Sequence, residues 1–341
     1  MYNHSYHEDI DISAFSFLIT GGAGFIGSNL VEYLIKHKAK KVRVLDNFST
    51  GNRGNLNPYA EHPDFELIEG DIRDYNTCAM AVSKMDYVFH EAALGSVPRS
   101  IKDPITTNDV NISGFLNMLF ACKEAKTKRF VYAASSSTYG DSTELPKVEN
   151  KIGNPLSPYA VTKYVNELYS DVFSKLYGMK IIGLRYFNVF GQRQDPFGAY
   201  AAVIPKFVNQ LMNYESPVIN GDGEFSRDFT YIDNVIQANM RAMFTQNEQA
   251  VNQVYNVAFG EKTSLNELIE LLKESLTEFD SGIEAVTIKY GPNRMGDIPH
   301  SLASIEKAKQ LLNYHPRYSI REGLKEAVGW YVNDGIERLV K

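Results

Sequence analysis

Residues 16–27 read SFLITGGAGFIG, an apolar run that leads into glycines spaced three apart, and an amphipathic pattern follows at 26–37. This order is typical of a strand, a tight turn and a helix whose N-terminal amides bind a pyrophosphate. The last glycine allows the helix to pack closely against the strand. The predicted cofactor-binding residues of this turn are Gly21, Gly24, Phe25, Ile26 and Gly27.

A second apolar run, VRVLD at 42–46, ends in an acid downstream of the glycine turn. A carboxylate at that place accepts hydrogen bonds from both hydroxyls of an adenosine ribose and would repel a 2′-phosphate. No arginine follows immediately, so we predict NAD rather than NADP as the cofactor. The predicted contacts here are Asp46, Asn47, Phe48, Ser49, Thr50 and Gly51.

Short apolar segments then alternate with helical ones as far as about residue 185. The strand candidates are 16–20, 42–46, 65–69, 87–91, 129–134 and 181–185, and the helix candidates are 26–37, 112–125 and 158–177. This alternation predicts an α/β fold with a Rossmann-type, doubly wound parallel sheet. We expect an NAD-binding domain over 14–183, to which the chain returns near 225–260, and a smaller mixed α/β substrate domain over 184–341. The polar residues 1–12 are expected to form a surface extension or short cap.

Composition restricts the class of protein. The 341 residues carry 35 Lys and Arg against 41 Asp and Glu, a net charge of −6, so no general cationic field attracts nucleic acid or an anionic membrane. Two cysteines without ligand-spaced neighbours predict neither a disulfide framework nor a metal site. Without an apolar run of membrane length or a signal-peptide pattern, we expect a cytoplasmic enzyme.

Two further segments carry candidate chemistry. Tyr159 and Lys163 are four residues apart on a predicted helix and therefore share a face. A nearby ammonium favours the phenolate, so Lys163 is expected to lower the pKa of Tyr159 and make it a general base. Ser135, Ser136 and Ser137 follow an apolar strand, at the sheet edge where such folds bind ligands.

These motifs together resemble those of the extended short-chain dehydrogenase/reductases, and within them the nucleotide-sugar 4-epimerases. The segments that carry the resemblance are GGAGFIG, VLDNFSTG, EGDIRD, HEAAL, SSSTYG, SPYAVTK, LRYFNVFG, GDGEFSRDFTYIDN and RMGDIPHS. The resemblance implies that Tyr159 takes the proton of the sugar 4-hydroxyl while C4 gives a hydride to NAD⁺. The 4-keto sugar then turns, and the hydride returns to its other face.

The resemblance also implies a role for individual residues. Lys163 would hold the nicotinamide ribose, and Ser135 would be the catalytic hydroxyl. Further cofactor contacts would be Asp71, Ile72, Ala92, Ala93, Asn111, Tyr186, Asn188 and Val189. Contacts to the UDP-sugar would be Gly95, Ser96, Ser135, Ser136, Ser137, Tyr159, Asn188, Ala202, Val203, Lys206, Asn220, Arg227, Arg294, Asp297 and Ser301.

Substrate choice is predicted from side-chain size. Ser301 occupies the position where the family often has a bulky tyrosine, and Gly95 and Ala202 are also small, which leaves room for a 2-acetamido group. We therefore expect UDP-GlcNAc and UDP-GalNAc as substrates. UDP-glucose and the uronic acids of the N-acetylated sugars remain alternatives, and Arg99, Ser96 and Ser100 are the candidates for a carboxylate at C6.

Three other interpretations are weighed. A 4,6-dehydratase would carry an Asp-Glu pair where this chain has Ser136 and Ser137, and decarboxylating relatives also expect a carboxylate near there. A catalytically silent NAD-binding protein would not need the intact Ser135, Tyr159 and Lys163. The resemblance finally implies a homodimer formed through a four-helix bundle of the segments 112–125 and 158–177.

Overall fold

A seven-stranded parallel sheet forms the centre of the protein in a computed structural model that describes residues 2–7, 10–197, 201–292 and 299–335. Its strands are β1 (Ser16–Thr20), β2 (Lys41–Asp46), β3 (Phe65–Glu69), β4 (Tyr87–His90), β5 (Arg129–Ser135), β6 (Ile181–Tyr186) and β11 (Gln253–Val257). The strand order is β3-β2-β1-β4-β5-β6-β11. Ligands bind such sheets where the strand order reverses, here between β1 and β4.

Shorter strands lie outside this sheet. They are β7 (Val189–Phe190), β8 (Val218–Asn220), β9 (Ser226–Arg227), β10 (Thr230–Tyr231), β12 (Thr263–Ser264) and β13 (Lys289–Gly291). They pair as β7 with β10, β8 with β13, and β9 with β12. The α-helices are α1 (Phe25–Lys36), α2 (Tyr75–Val82), α3 (Val97–Lys102), α4 (Pro104–Asn108), α5 (Phe115–Ala125), α6 (Pro158–Tyr177), α7 (Val203–Met212), α8 (Ile232–Phe244), α9 (Leu265–Thr277), α10 (Glu306–Leu312) and α11 (Ile320–Trp330).

Helices cover both faces of the sheet, which explains why its strands are apolar without strict alternation. Phe17 and Ile19 of β1 belong to the core shared with α1 and α8. Leu18, between them, belongs to the core shared with α2, α5 and α6. The predicted doubly wound, Rossmann-type parallel sheet is therefore confirmed.

The predicted element boundaries differ in a few places. Each strand candidate forms a strand, and α6 spans the whole of 158–177. The segment 112–125 begins differently, because a π-helical turn over Asp109–Gly114 precedes α5. The boundary expected at 183–185 falls inside β6, and the chain re-enters the sheet as β11. The division into domains remains a prediction.

Of the two expectations for the N-terminus, a surface extension or a short cap, the surface extension is wrong. Tyr2 and Tyr6 are only 2% and 3% exposed. The ring of Tyr6 stacks on Tyr33 of α1, and its hydroxyl donates a hydrogen bond to Asp233 of α8. The Tyr2 hydroxyl donates to Asn29 of α1 over 2.6 Å. Single aromatic side chains anchor this segment, so it shows no apolar period in the sequence.

Candidate active site

A cleft of about 520 Å³ opens at the carboxyl ends of β1, β2, β4, β5 and β6, which is the place expected for a ligand in this sheet. Many of the residues predicted from the sequence line it. They are Gly21, Gly24, Phe25, Ile26, Gly27, Asp46, Asn47, Ser49, Thr50, Gly51, Ile72, Ala92, Ala93, Gly95, Ser96, Ser135, Tyr159, Lys163, Tyr186, Val189 and Ala202.

The glycine turn is required by close backbone contacts. A Cβ on Gly27 would lie 2.2 Å from the carbonyl oxygen of Gly21, so a side chain there would push α1 away from β1. Gly21 has a φ of +69° and lies against the backbone of Ala92. Gly24, the N-cap of α1, has no capping side chain, so the first amides of the helix are available to an anion in the cleft.

Asp46 ends β2 with its carboxylate held in place. One oxygen accepts a hydrogen bond from the Ala23 amide over 2.9 Å, and the other accepts from the Phe48 amide over 2.8 Å. Burial raises the pKa of Asp46, and the two amide hydrogen bonds oppose that rise. The carboxylate is thus oriented next to the glycine turn, where it suits a ribose diol.

The residues predicted around the adenine lie partly in the cleft wall and partly behind it. Asn47 donates a hydrogen bond to Asp71 over 2.9 Å, and Arg73 donates to the same carboxylate. These contacts, above all those from Arg73, lower the pKa of Asp71 to about 2. Ile72 lines the cleft, whereas Asp71 and Phe48 are outside the wall.

Asn111 lies outside the cleft wall and forms hydrogen bonds that hold part of it. Its Oδ1 accepts a hydrogen bond from the Leu94 amide over 2.8 Å, and its Nδ2 donates to Thr162 of α6 over 3.1 Å. Leu94 itself lines the cleft, although Asn111 does not. The contact of Asn111 with the dinucleotide therefore remains a prediction, and its observed hydrogen bonds join α6 to the segment after β4.

Tyr159, Lys163 and Ser135 meet at one end of the cleft. Ser157 caps α6 by accepting a hydrogen bond from the Ala160 amide, which begins the helix just before Tyr159. The Lys163 ammonium donates to the Ala133 carbonyl over 2.8 Å and lies 5.9 Å from the centre of the Tyr159 ring. The arrangement places a phenol, an ammonium and a hydroxyl around one space.

The electrostatics of this group differ from the sequence-based expectation. Burial raises the pKa of Tyr159, and a hydrogen bond with Ser135 is the influence that lowers it. Burial also lowers the pKa of Lys163 to about 8. The expected net lowering of the Tyr159 pKa is therefore wrong for this structure, because desolvation by burial outweighs any attraction between the Lys163 ammonium and the phenolate.

The consecutive serines have different positions. Ser135 lines the cleft, and its Oγ accepts hydrogen bonds from the amide and the hydroxyl of Ser137, over 3.1 and 2.9 Å. Ser136 and Ser137 form the 3₁₀ turn that follows and are outside the wall. Ser137 thus orients Ser135, while its predicted sugar contact stays a prediction.

Several lining residues are missing from the sequence-based prediction. They are Leu45, Gly70, Glu91, Leu94, Val110, Ala133, Ala134, Gln194, Asp195 and Ala201, and Arg99 was considered only for a carboxylate substrate. Glu91 directly follows β4. Its place after a strand of the parallel sheet is a signal that could have identified it.

The described residues predicted for the UDP part of the substrate lie outside the cleft wall: Val203, Lys206 and Asn220 for the uridine, and Asn188 and Arg227 for the diphosphate. Ser301, predicted for the sugar pocket, lies outside the wall as well, and Arg294 and Asp297 fall outside the described residues. A missed residue, Asp228, connects this region: its buried carboxylate accepts hydrogen bonds from the amides of Phe259, Gly260 and Ala303. Burial raises its pKa to about 7.

The described part of the chain contains no cluster of three or more His, Cys, Asp or Glu residues that could hold a metal ion. No helix within it is long and apolar enough to cross a membrane.

Comparisons with known proteins place this site in context. Residues 18–327 match the GDP-mannose 4,6 dehydratase family. A putative UDP-glucose 4-epimerase of Methanocaldococcus jannaschii is 37% identical over 319 residues, which cover 93% of this chain and 98% of that protein.

Two solved structures are similar in both sequence and fold. UDP-N-acetylglucosamine 4-epimerase from Methanobrevibacter ruminantium M1, in complex with UDP-N-acetylmuramic acid, is 40% identical with a TM-score of 0.86, over 93% of this chain and 98% of that one. UDP-glucuronic acid 4-epimerase from Bacillus cereus, in complex with UDP-glucuronic acid and NAD, is 32% identical with a TM-score of 0.83, over 92% and 98%. The chain therefore belongs to the extended short-chain dehydrogenase/reductases, in the family of the UDP-sugar 4-epimerases.

Proposed function

We propose that this protein is an NAD-dependent 4-epimerase that interconverts UDP-GlcNAc and UDP-GalNAc. The observation that carries the proposal is that one cleft is lined both by Tyr159, Lys163 and Ser135 and by the glycine turn with Asp46. A dinucleotide and a proton-transfer group are needed together for a reaction that oxidises and then reduces one carbon. The named UDP-sugar epimerases among its relatives support the same reaction.

The residues of the cleft fit NAD. The amides at the start of α1 suit the pyrophosphate, and the fixed carboxylate of Asp46 suits the adenosine ribose. Relatives solved with NAD support this choice of cofactor. When bound, NAD⁺ supplies the acceptor for the hydride of the sugar C4.

Side chains of the protein carry out the proton transfer. The hydrogen bond between Ser135 and Tyr159 gives the sugar 4-hydroxyl a path to the phenol oxygen. Lys163 contributes a positive charge beside the phenol, which favours the phenolate as the proton is taken up. The cofactor's own positive charge adds to that effect, so the raised Tyr159 pKa of the cofactor-free protein is expected to fall on binding.

An N-acetylated sugar suits the free space around the sugar position. A Cβ placed on Gly95 meets no atom within 4 Å, and the small Ala202 also lines the cleft. The relative that is 40% identical is named a UDP-N-acetylglucosamine 4-epimerase, which supports this choice. Arg99 lines the cleft as well, so uronic acids are the second candidates.

A substitution tests the pocket assignment. Ser301→Tyr is expected to restore the bulky family side chain and to lower kcat/KM for UDP-GlcNAc by about tenfold or more, while UDP-glucose turnover is retained. The readout is the ratio of kcat/KM for the two substrates, so a loss of folded protein lowers both values equally and does not change the ratio. An unchanged ratio would show that Ser301 is not a wall of the sugar pocket.

The enzyme itself is tested without added cofactor. Purified protein is incubated with UDP-GlcNAc, and UDP-GalNAc is followed by proton NMR, while a second sample is denatured to release bound NAD. We expect both UDP-GalNAc and NAD. Absence of both from folded protein would overturn the epimerase proposal.

We also infer a homodimer, with α6 at its centre. Val161, Leu168, Val172 and Leu176 recur along α6 and are 44–69% exposed. The apolar residues expected to contribute from 112–125 behave differently, since Phe115, Met118 and Leu119 are buried in the core of the monomer. Light scattering of Leu168→Glu against wild type tests this surface: the variant is expected to be monomeric, and an unchanged dimer would exclude α6.

A reducing, cytoplasmic location belongs to the same proposal. Cys78 of α2 and Cys122 of α5 are both buried free thiols. Their burial raises the pKa of each thiol, so neither is a reactive thiolate at neutral pH.

A further inference from the structure

Glu91 occupies a central place in the cleft that the proposed reaction does not yet use. It directly follows β4 and lines the cleft. His90 pairs with Tyr132 of β5, and Glu91 and Ala133 are the residues that follow this pair on the two chains, both of them in the cleft wall. Its Oε1 accepts a hydrogen bond from the Tyr186 hydroxyl over 2.9 Å, whereas Oε2 is buried without a hydrogen-bond partner in the described part of the chain.

The hydroxyl of Tyr186 is held from two sides. It donates to Glu91, and it accepts a hydrogen bond from Nδ2 of Asn239 on α8 over 2.9 Å. Tyr186 ends β6 and lines the same cleft. The pair of hydrogen bonds fixes the ring in the wall, and Glu91 is its acceptor.

Glu91 also acts electrostatically on Lys163. The Lys163 ammonium donates to the carbonyl of Ala133, which follows Tyr132 on β5 just as Glu91 follows its partner His90 at the end of β4. Burial lowers the pKa of Lys163, and the Glu91 charge opposes this by favouring the ammonium. The adjoining His90 is held neutral by burial, with its pKa lowered to about 3, so it adds no positive charge.

The pKa of Glu91 is shifted by the same surroundings. Burial raises the pKa of Glu91 to about 7, while the Tyr186 hydrogen bond and the Lys163 charge both favour its ionised form. Among the described residues that line the cleft, the other carboxylates are Asp46 and Asp195, and neither is a cause of the Lys163 shift. Glu91 is thus the acid that is coupled to the proton-transfer group.

We propose that Glu91 is a positioning residue of the site: it holds the Tyr186 hydroxyl in the wall and supplies the negative charge that keeps Lys163 protonated beside Tyr159. An ammonium at Lys163 favours the Tyr159 phenolate, so Glu91 extends the pH range over which the base works. The catalytic part of this proposal rests on the proposed function. The charge coupling to Lys163 does not depend on it.

The test uses the full-length protein with ¹³C-labelled lysine. The Lys163 signal, identified by its loss in Lys163→Arg, is titrated in wild type and in Glu91→Gln. Glu91→Gln keeps an oxygen that accepts a hydrogen bond from the Tyr186 hydroxyl and removes only the negative charge. Glu91→Ser serves as a second charge-free variant, and Tyr186→Phe is the matched control that removes the hydrogen bond but keeps the carboxylate.

We expect the pKa of Lys163 to fall by about one unit in Glu91→Gln and Glu91→Ser, the size expected for loss of a nearby opposite charge. Tyr186→Phe keeps the carboxylate but removes a hydrogen bond that favours its ionised form, so the Lys163 pKa should fall by less there than in the charge-free variants. In epimerase assays, the alkaline limb of kcat should move to lower pH by the same amount in the charge-free variants.

If Glu91 had only a structural role, the charge-free variants would have a lower kcat at every pH, and the alkaline limb of kcat would stay at the wild-type pH. An unchanged Lys163 titration in the charge-free variants, or an equal shift in Tyr186→Phe, would overturn the proposal. If the protein proved not to be an epimerase, the lysine titration would still give its answer, so the two failures are distinguishable.

Discussion

The two ends of the site are built differently. At the cofactor end, the glycine turn and Asp46 come from the carboxyl ends of β1 and β2, Tyr159 and Lys163 come from one turn of α6, and all of them line one cleft. At the uridine end, the described residues predicted from the sequence come from α7, β8 and β9 and lie outside that wall. The first end is positioned by the sheet and one helix packed on it, whereas the second depends on contacts between distant loops such as those of Asp228.

Loss of the phenol at the cofactor end should have the largest effect. Tyr159→Phe removes the proposed base and is expected to lower kcat about 10²- to 10⁴-fold. Tyr164→Phe, on the same helix but outside the cleft wall, is the matched control and should remain active. Turnover by Tyr159→Phe within tenfold of wild type would exclude the phenol as the base.

The glycine turn should tolerate no side chain. In Gly27→Ala the new Cβ would lie 2.2 Å from a backbone oxygen, and forced repacking of this kind costs about 1–3 kcal/mol. Gly329→Ala on α11 is the control, because a Cβ there meets nothing within 4 Å. We expect lower thermal stability and little co-purified NAD in the first variant only. Equal NAD content in both would refute the assigned turn.

At the other end, the prediction concerns Asp228. The raised pKa of about 7 means that the folded state holds a proton that the unfolded state releases near pH 4. The stabilisation that comes from binding this proton in the folded state is therefore fully present below about pH 4 and is lost as the pH rises to about 7. The amide of Asp228→Asn does not titrate. At acidic pH we expect its free energy of unfolding to be about 1–3 kcal/mol lower than that of wild type. Because wild type loses stability as the pH rises, the two free energies should approach each other near pH 7. Urea unfolding at several pH values measures this, and a pH-independent difference would contradict it.

The smallest effect is expected where the N-terminal segment meets α8. Tyr6→Phe removes the hydrogen bond to the buried Asp233 and should cost about 1 kcal/mol. The exposed Tyr214 makes the same kind of bond to Asp280, so Tyr214→Phe is the matched control. Thermal melting should distinguish them, and equal melting temperatures would indicate that the N-terminal contact contributes nothing.

The same contrast explains what could be predicted from sequence. The glycine turn, Asp46 and the Tyr159–Lys163 pair were predictable because each is a local pattern on one strand or one helix. Glu91 was missed because its role depends on β4, β5 and β6 being neighbours, which no single segment reveals. The N-terminal anchor was missed for a related reason: Tyr2 and Tyr6 act singly and produce no periodicity.

Electrostatics were predicted less well than positions. The YxxxK spacing places phenol and ammonium together, but the pKa of each depends on how deeply the folded chain buries it. Burial raises the pKa of Tyr159 and lowers that of Lys163, opposite to a prediction from charge proximity alone. Spacing alone does not contain that information.

We propose that one cleft combines the cofactor site, the proton-transfer group and room for an acetamido sugar. The most direct measurement is kcat/KM for four substrates under one condition: UDP-glucose, UDP-GlcNAc and the uronic acid of each. We expect the highest value for UDP-GlcNAc, with conversion to UDP-GalNAc. A higher value for UDP-glucose or for either uronic acid would contradict the substrate assignment, and no turnover of any of the four would contradict the proposed epimerase activity.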